Sequence, residues 1–253
     1  MTPDPLFDFT GKVALVTGGS RGLGYRMVKA LAERGADVIV ASRKLDNCET
    51  VAEECRALGR RAMAHAVHCG RWNEIDALIT AVYAEFGRID ILINNAGMSP
   101  ACPSHEMPES LFDSVLNLNF KGPFRLASQV AHRMSQGGGG CIINISSTGA
   151  LMALPMVIPY GSAKAALNAM SVSLSREYAP KVRVNTISPG PFLTDIADAW
   201  EESKRVGQPV AWCAAFDLQH RGDPLGQPGE SVGGEFKGAG AGEGCEHGHG
   251  VGH

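Results

Sequence analysis

Tyr160-Gly161-Ser162-Ala163-Lys164 opens a segment with helical spacing, and a separation of i to i+4 places the phenol and the ammonium on one helix face. An ammonium beside a phenol favours the phenolate, lowering a pKa from about 10 towards the range where tyrosine acts as acid or base. A Tyr-x-x-x-Lys spacing alone is common and mostly structural. Thirteen residues earlier, however, Ser147 ends the apolar run CIINISS, so the hydroxyl and the phenol can converge at the same edge of a sheet. Asn94-Asn95-Ala96-Gly97 ends another apolar run, and Asn119 lies in the helical region that follows. The chemistry on offer is proton transfer to or from an oxygen held by a hydroxyl.

A second constellation is Thr17-Gly18-Gly19-Ser20-Arg21-Gly22-Leu23-Gly24, which follows the β-branched run KVALVT and opens into a helix. Glycine serves such a turn where backbone must approach phosphate oxygens, and the helix N-terminus presents free N–H groups to an anion. In its strand-loop-helix context the cluster reads as a dinucleotide site. Roughly 20 positions on, where a free ribose 2'-hydroxyl would call for a carboxylate, the chain has Ser42-Arg43-Lys44. Arg43, helped by Arg21 and the Ser42 hydroxyl, would instead attract a 2'-phosphate, so NADP(H) is expected over NAD(H).

These residues need a scaffold, and the hydrophobic pattern supplies one. Short apolar runs at 12–17, 36–42, 61–67, 89–95, 141–146 and 182–187 read as buried strands. Between them lie helical stretches at about 22–34, 46–58, 73–86, 109–133 and 159–178. Strands alternating with helices of this length predict an α/β fold, a doubly wound Rossmann-type parallel sheet with helices on both faces. Ligands of such sheets bind at the carboxyl ends of the strands, where both constellations fall.

On TGGSRGLG at 17–24, NNAG at 94–97, Asn119 in LNLNF, Ser147, Tyr160 with Lys164, and Pro189-Gly190 before Thr194, residues 8–223 resemble the short-chain dehydrogenase/reductase family in its compact form. The resemblance implies that Tyr160 gives its proton to a substrate carbonyl as hydride arrives from the nicotinamide, and takes it back in the oxidative direction. Lys164 would lower the Tyr160 pKa and bind the nicotinamide ribose, Ser147 would hold the substrate oxygen, and Asn119 would hold a water linking Lys164 to solvent. It further implies pyrophosphate contacts from Gly18, Ser20, Arg21, Gly22, Leu23 and Gly24, an adenine-ribose contact from Asn94 beside Gly97, and a carboxamide contact from the loop Pro189, Gly190, Phe192 and Thr194. Asn95 would tie neighbouring strands together.

The chain departs from the family in two places. After the third strand the family has Asp and an apolar residue, whereas His68-Cys69 stands here and is expected to form the adenine pocket. Metal ligation by His65, His68 and Cys69 is not expected. The family's last helix and strand are replaced by LGQPGESVGGEFKGAGAGEGCEHGHGVGH, which carries 11 of the 31 glycines and reads as an irregular Gly/His-rich tail over 224–253, the final strand being absent. A shifted reading frame or a diverged terminus would produce it. An inactive nucleotide-binding remnant is the alternative the tail raises, and the family's homo-oligomer is placed in doubt.

Composition sets the outer limits. With 253 residues, 44% hydrophobic, 19% charged and a net charge of -3, the chain is neither basic enough to embrace nucleic acid nor acidic enough to be disordered. Its mean hydropathy is -0.03, and it lacks both a membrane-length apolar run and a signal-peptide pattern at MTPDPLFDF, so a cytoplasmic location is expected. Seven cysteines without a C-x-x-C pair suggest reduced thiols. The expected partner is a small carbonyl or alcohol of apolar character, since Met152, Leu154, Met156, Phe192 and Trp200 crowd the segments around Ser147 and Tyr160.

Overall fold

The computed structural model describes residues 5–190. Strands β1 (Val13–Thr17), β2 (Asp37–Ser42), β3 (Ala62–Ala66), β4 (Ile91–Asn94), β5 (Gly140–Ile145) and β6 (Val182–Ile187) form one sheet in the order β3-β2-β1-β4-β5-β6, and every neighbouring pair is parallel. Helices α1 (Gly22–Glu33), α2 (Leu45–Ala57), α3 (Trp72–Phe86), α4 (Glu109–Leu116), α5 (Gly122–Gln136) and α6 (Ile158–Glu177) make the connections. This is the expected Rossmann-type α/β fold. Residues 191–253, with Phe192, Thr194, Trp200 and the whole tail from Pro224, lie outside the described residues.

Alternation along each strand builds two cores. On β1, Ala14 and Val16 join Val28, Val38, Val40 and Val51 in the layer under α1 and α2. Leu15 between them points the other way, into Leu92, Ile142, Leu126 and Leu167 under α3, α5 and α6. Because both faces are covered, the strand carries no polar alternation and is buried throughout. α3 stops where Gly87 takes a left-handed φ of 72° and its N–H closes on the Tyr83 carbonyl at 3.0 Å.

One element differs from expectation. The helical stretch expected over 109–133 is two α-helices joined by a π-helical turn, Asn117–Lys121. The wider turn carries Asn119 fully inside (0% exposed), where its Nδ2 donates to Val115 O and Met98 O, both at 2.9 Å. Such turns satisfy a tertiary demand that helical periodicity does not register.

Chain direction across the sheet reverses between β1 and β4, and a crevice opens there at the carboxyl ends. Thr17 closes the seam. Its Oγ1 accepts from the N–H groups of Asn95 (3.0 Å) and Ala96 (3.1 Å) and donates to Ile93 O at 3.4 Å.

Candidate active site

The strand order lays the sequence motifs along one edge: Ser42-Arg43 after β2, the glycine loop after β1, Asn95 to Gly97 after β4, Ser147 after β5 and Pro189 after β6. At a strand spacing of about 4.8 Å, β2 to β5 spans about 14 Å, room for an extended ligand rather than a single small one. A cleft of about 410 Å³ follows this edge, bordered by Gly18, Arg21, Gly22, Leu23, Ser42 and Arg43 at one end and by Asn95 to Pro100, Leu111 and Leu118 at the other. Its described lining contains two arginines and no carboxylate.

Gly24 explains how closely α1 meets the loop: a Cβ there would stand 2.1 Å from the Gly18 carbonyl oxygen. The helix can begin against the loop only without a side chain at that position. No side chain caps the first turn of α1, whose Ncap is Arg21, so its N–H groups face the cleft as donors for an anion. This donor set fits a dinucleotide. Gly24 acts from behind, and neither it nor Ser20 borders the cleft.

Beyond the residues that line this cleft, along the same sheet edge, α6 starts at Ile158 and holds Tyr160 and Lys164 on its buried face. Lys164 Nζ lies 5.7 Å from the centre of the Tyr160 ring and donates to Ile145 O at 2.7 Å. The Ser147 hydroxyl lies close enough to the Tyr160 phenol to draw its pKa down and accepts from Gly149 N at 3.0 Å, while Thr148 N donates to Pro189 O at 3.1 Å and pins that loop to the same edge. A Cβ added at Gly97 would lie 2.8 Å from Asn119 Oδ1 and 3.7 Å from Lys164 Nζ, which measures how tightly the two groups gather. Ser147, Tyr160, Lys164 and Asn119 therefore meet as the sequence predicts.

Their electrostatics differ from expectation. Burial pushes the Tyr160 phenol above its ordinary value, and only the Ser147 hydroxyl pulls it down. Burial also lowers Lys164 from 10.5 to about 8. The net direction for the phenol is therefore set by its own desolvation, which outweighs the lowering by Ser147. Both amide hydrogens of Asn119 are committed to backbone carbonyls, so a water of the kind the resemblance assigns to it would be held through an Asn119 oxygen.

Three cofactor-side assignments shift. Asn94 turns away from the cleft, donating to Asn144 Oδ1 at 2.8 Å. Asn95 lines the cleft and also ties the strands, donating to Thr17 O at 3.0 Å. After β3 the lining residues are Val67 and Cys69, whereas His68 Nδ1 accepts from Gly70 N at 3.2 Å and shapes the turn. Val67 escaped sequence reasoning because an apolar strand end carries no chemical signal. The Cys69 thiol, pushed up to about 12 by burial, stays protonated and packs. Leu154, expected at the substrate pocket, is buried against Gly149, where an added Cβ would lie 2.1 Å from Leu154 and 3.3 Å from Ser147 Oγ. Among the described residues no group of three or more His, Cys, Asp or Glu could hold a metal ion, and no helix is long and apolar enough to cross a membrane.

A glycine-lined anion site and a Ser–Tyr–Lys cluster on one Rossmann-type edge define an oxidoreductase that works with a nicotinamide dinucleotide. The chain belongs to the short chain dehydrogenase family, whose description matches residues 12–205. It is 38% identical over 202 residues to D-threitol dehydrogenase of Mycolicibacterium smegmatis, covering 77% of this chain and 76% of that protein. With the NAD-dependent glycerol dehydrogenase of Listeria innocua it shares 33% identity over 228 residues, 84% of this chain and 89% of the other. The structure of a gluconate 5-dehydrogenase from Burkholderia cenocepacia in complex with NADP and tartrate superposes with a TM-score of 0.73 at 31% identity, covering 76% of each chain. Family membership makes the protein a hydride-transferring dehydrogenase or reductase acting on alcohols or ketones.

Proposed function

We propose that the protein transfers hydride between NADP(H) and an uncharged ketone or its secondary alcohol, with Tyr160 as the acid and base. The convergence of Ser147, Tyr160 and Lys164 beside a cleft whose other end holds two arginines and no carboxylate carries this reading. A nicotinamide held along this sheet edge would supply the hydride in reduction and take it up in oxidation. The Tyr160 hydroxyl donates its proton to the substrate oxygen. Ser147 holds that oxygen and steadies its developing charge. The ammonium of Lys164 favours the phenolate each time the proton leaves, and its hold on Ile145 O fixes where that charge sits.

The relatives include both an NAD-dependent enzyme and an NADP complex, so this chain's own residues must decide the cofactor. Arg21, Ser42 and Arg43 would hold a 2'-phosphate, and Gly18, Ser20, Gly22 and Leu23 the pyrophosphate over Gly24. Val67 and Cys69 would take the adenine, with His68 shaping the turn. Asn95 and Gly97 would serve in place of the Asn94 side chain, and Pro189 and Gly190 would face the carboxamide. Met98, Pro100, Leu111 and Leu118 favour a carbon skeleton without charge.

Steady-state oxidation of NADPH and of NADH over a panel running from sugar ketones to aromatic ketones tests this. A kcat/KM at least about tenfold higher with NADPH is expected from one charge-assisted contact. Tyr160→Phe should be inactive while still binding NADPH. A preference for NADH would remove the role given to Arg43, and an active Tyr160→Phe would remove the mechanism.

A further inference from the structure

Behind the active site runs a chain of buried polar side chains, none of which lines the cleft. Asn144 on β5 is fully buried between Asn94 on β4 and Ser171 on α6. Asn94 Nδ2 donates to Asn144 Oδ1 at 2.8 Å, which fixes the orientation of the Asn144 carboxamide. Its Nδ2 then donates to Ser171 Oγ at 2.8 Å, and the Ser171 hydroxyl donates to Leu167 O at 2.7 Å. The Leu167 carbonyl can only accept, and with the Ser171 hydroxyl spent on it the other two links run in the directions given.

The spacing gives the chain a purpose. Ser146 directly follows β5, its N–H still paired to Ile187 O at 2.7 Å, so it shares a face with Asn144 two residues before it, while Lys164 and Ser171 stand seven apart on α6 and share one too. The strand therefore grips the helix twice, by Asn144 to Ser171 and by Ser146 Oγ donating to Lys164 O at 3.3 Å. Two grips about 10 Å apart along a helix fix both its rotation and its axial setting. Ile145, between Asn144 and Ser146, supplies the carbonyl that receives Lys164 Nζ at 2.7 Å. A leucine at 144 would suit the surrounding core, but apolar contacts tolerate sliding, whereas a fully paired buried network admits one register.

We propose that Asn144 and Ser171 are positioning residues for the reaction, locking α6 onto β5 at the setting that presents Tyr160 to Ser147 and Lys164 to Ile145. The proposal rests on the roles given to Tyr160 and Lys164 above. Asn144 and Ser171 act through α6 and touch no reacting atom.

Ser171→Ala removes one oxygen and with it the outer grip. Because misplacement by a fraction of an ångström is costly to catalysis, kcat should fall about tenfold while the Kd for NADPH, read by fluorescence titration, stays within about twofold. Leu174→Ala, a cavity on the same buried helix face outside the network, should destabilise the enzyme more but leave kcat within about twofold. An unchanged kcat in Ser171→Ala, or equal losses of kcat in both variants, would overturn the proposal, as would a parallel loss of NADPH binding. If Ser171→Ala does not fold, Ser171→Cys keeps the shape with a poor acceptor and is judged by the same criteria. Tyr160→Phe in the same series separates the two levels: activity there defeats the reading of the site, whereas its inactivity beside a normal Ser171→Ala defeats only the lock.

Discussion

At the β1–β2 end of the sheet edge the working parts are backbone and exposed cations, whereas at the β5–α6 end they are side chains taken out of water. Glycines bring main-chain donors to the loop, and Arg43 reaches in from the surface. At the other end Tyr160 and Lys164 are 6% and 4% exposed, and burial moves both proton affinities. The first arrangement suits a ligand that brings its own charge. The second suits a proton that must be held until a partner arrives, since groups in low dielectric respond strongly to any charge placed beside them.

The sharpest break in this comparison is Tyr160→Phe. Loss of the acid should lower single-turnover reduction about a thousandfold, with NADPH affinity, set at the opposite end, unchanged by fluorescence titration. Next comes Gly24→Ala, whose Cβ would meet the Gly18 carbonyl at 2.1 Å. Backbone must move to admit it, so urea unfolding should show a loss of about 2–3 kcal/mol, together with weakened binding of both NADPH and NADH. Arg43→Glu should spare the fold and reverse the cofactor preference, lowering kcat/KM for NADPH about thirtyfold, roughly one charge-assisted hydrogen bond. Retained NADPH preference in that variant would mean that the two ends are not specialised as described.

The smallest effect has the opposite sign. Lys164 binds its proton less tightly in the fold (about 8) than in the unfolded chain (10.5). At neutral pH the native state therefore bears the cost of a buried charge, and between about pH 8 and 10.5 that cost disappears, so this residue's contribution to stability rises with pH. Lys164→Met should abolish activity yet raise stability at pH 7 by about 1–2 kcal/mol, less than the proton-affinity difference alone because Ile145 O loses its donor. Urea unfolding from pH 7 to 10 should show a flatter pH dependence in the variant than in the parent.

Much of this was legible before any coordinate. Strand positions follow from apolar runs too short for helices, and the meeting of Ser147 with Tyr160 follows from placing both at carboxyl ends. What spacing cannot carry is solvation and side-chain facing. Tyr160 and Lys164 lie as close as i to i+4 requires, but their proton affinities depend on how much protein surrounds them. Asn94 and Asn95 are identical letters on neighbouring positions, and the pleat alone decides that one meets Asn144 and the other the cleft. The π-helical turn at Asn117–Lys121 left no trace in periodicity, since it answers to Met98 across the site rather than to its own sequence.

The seam between β1 and β4 also governs when the protein becomes competent. β1 and β2 begin about 24 residues apart and can pair once α1 forms, and β3 follows at a similar interval. Ala14 meets Ile91, and Thr17 meets Asn95, only after the whole intervening segment has been threaded, a closure of 77 or 78 residues. Long closures lose more chain entropy and form late. Nucleotide affinity should therefore appear in refolding after β1–β3 are protected from hydrogen exchange, so a nascent chain halted before Ile91 would hold the phosphate loop yet have no crevice in which to use it.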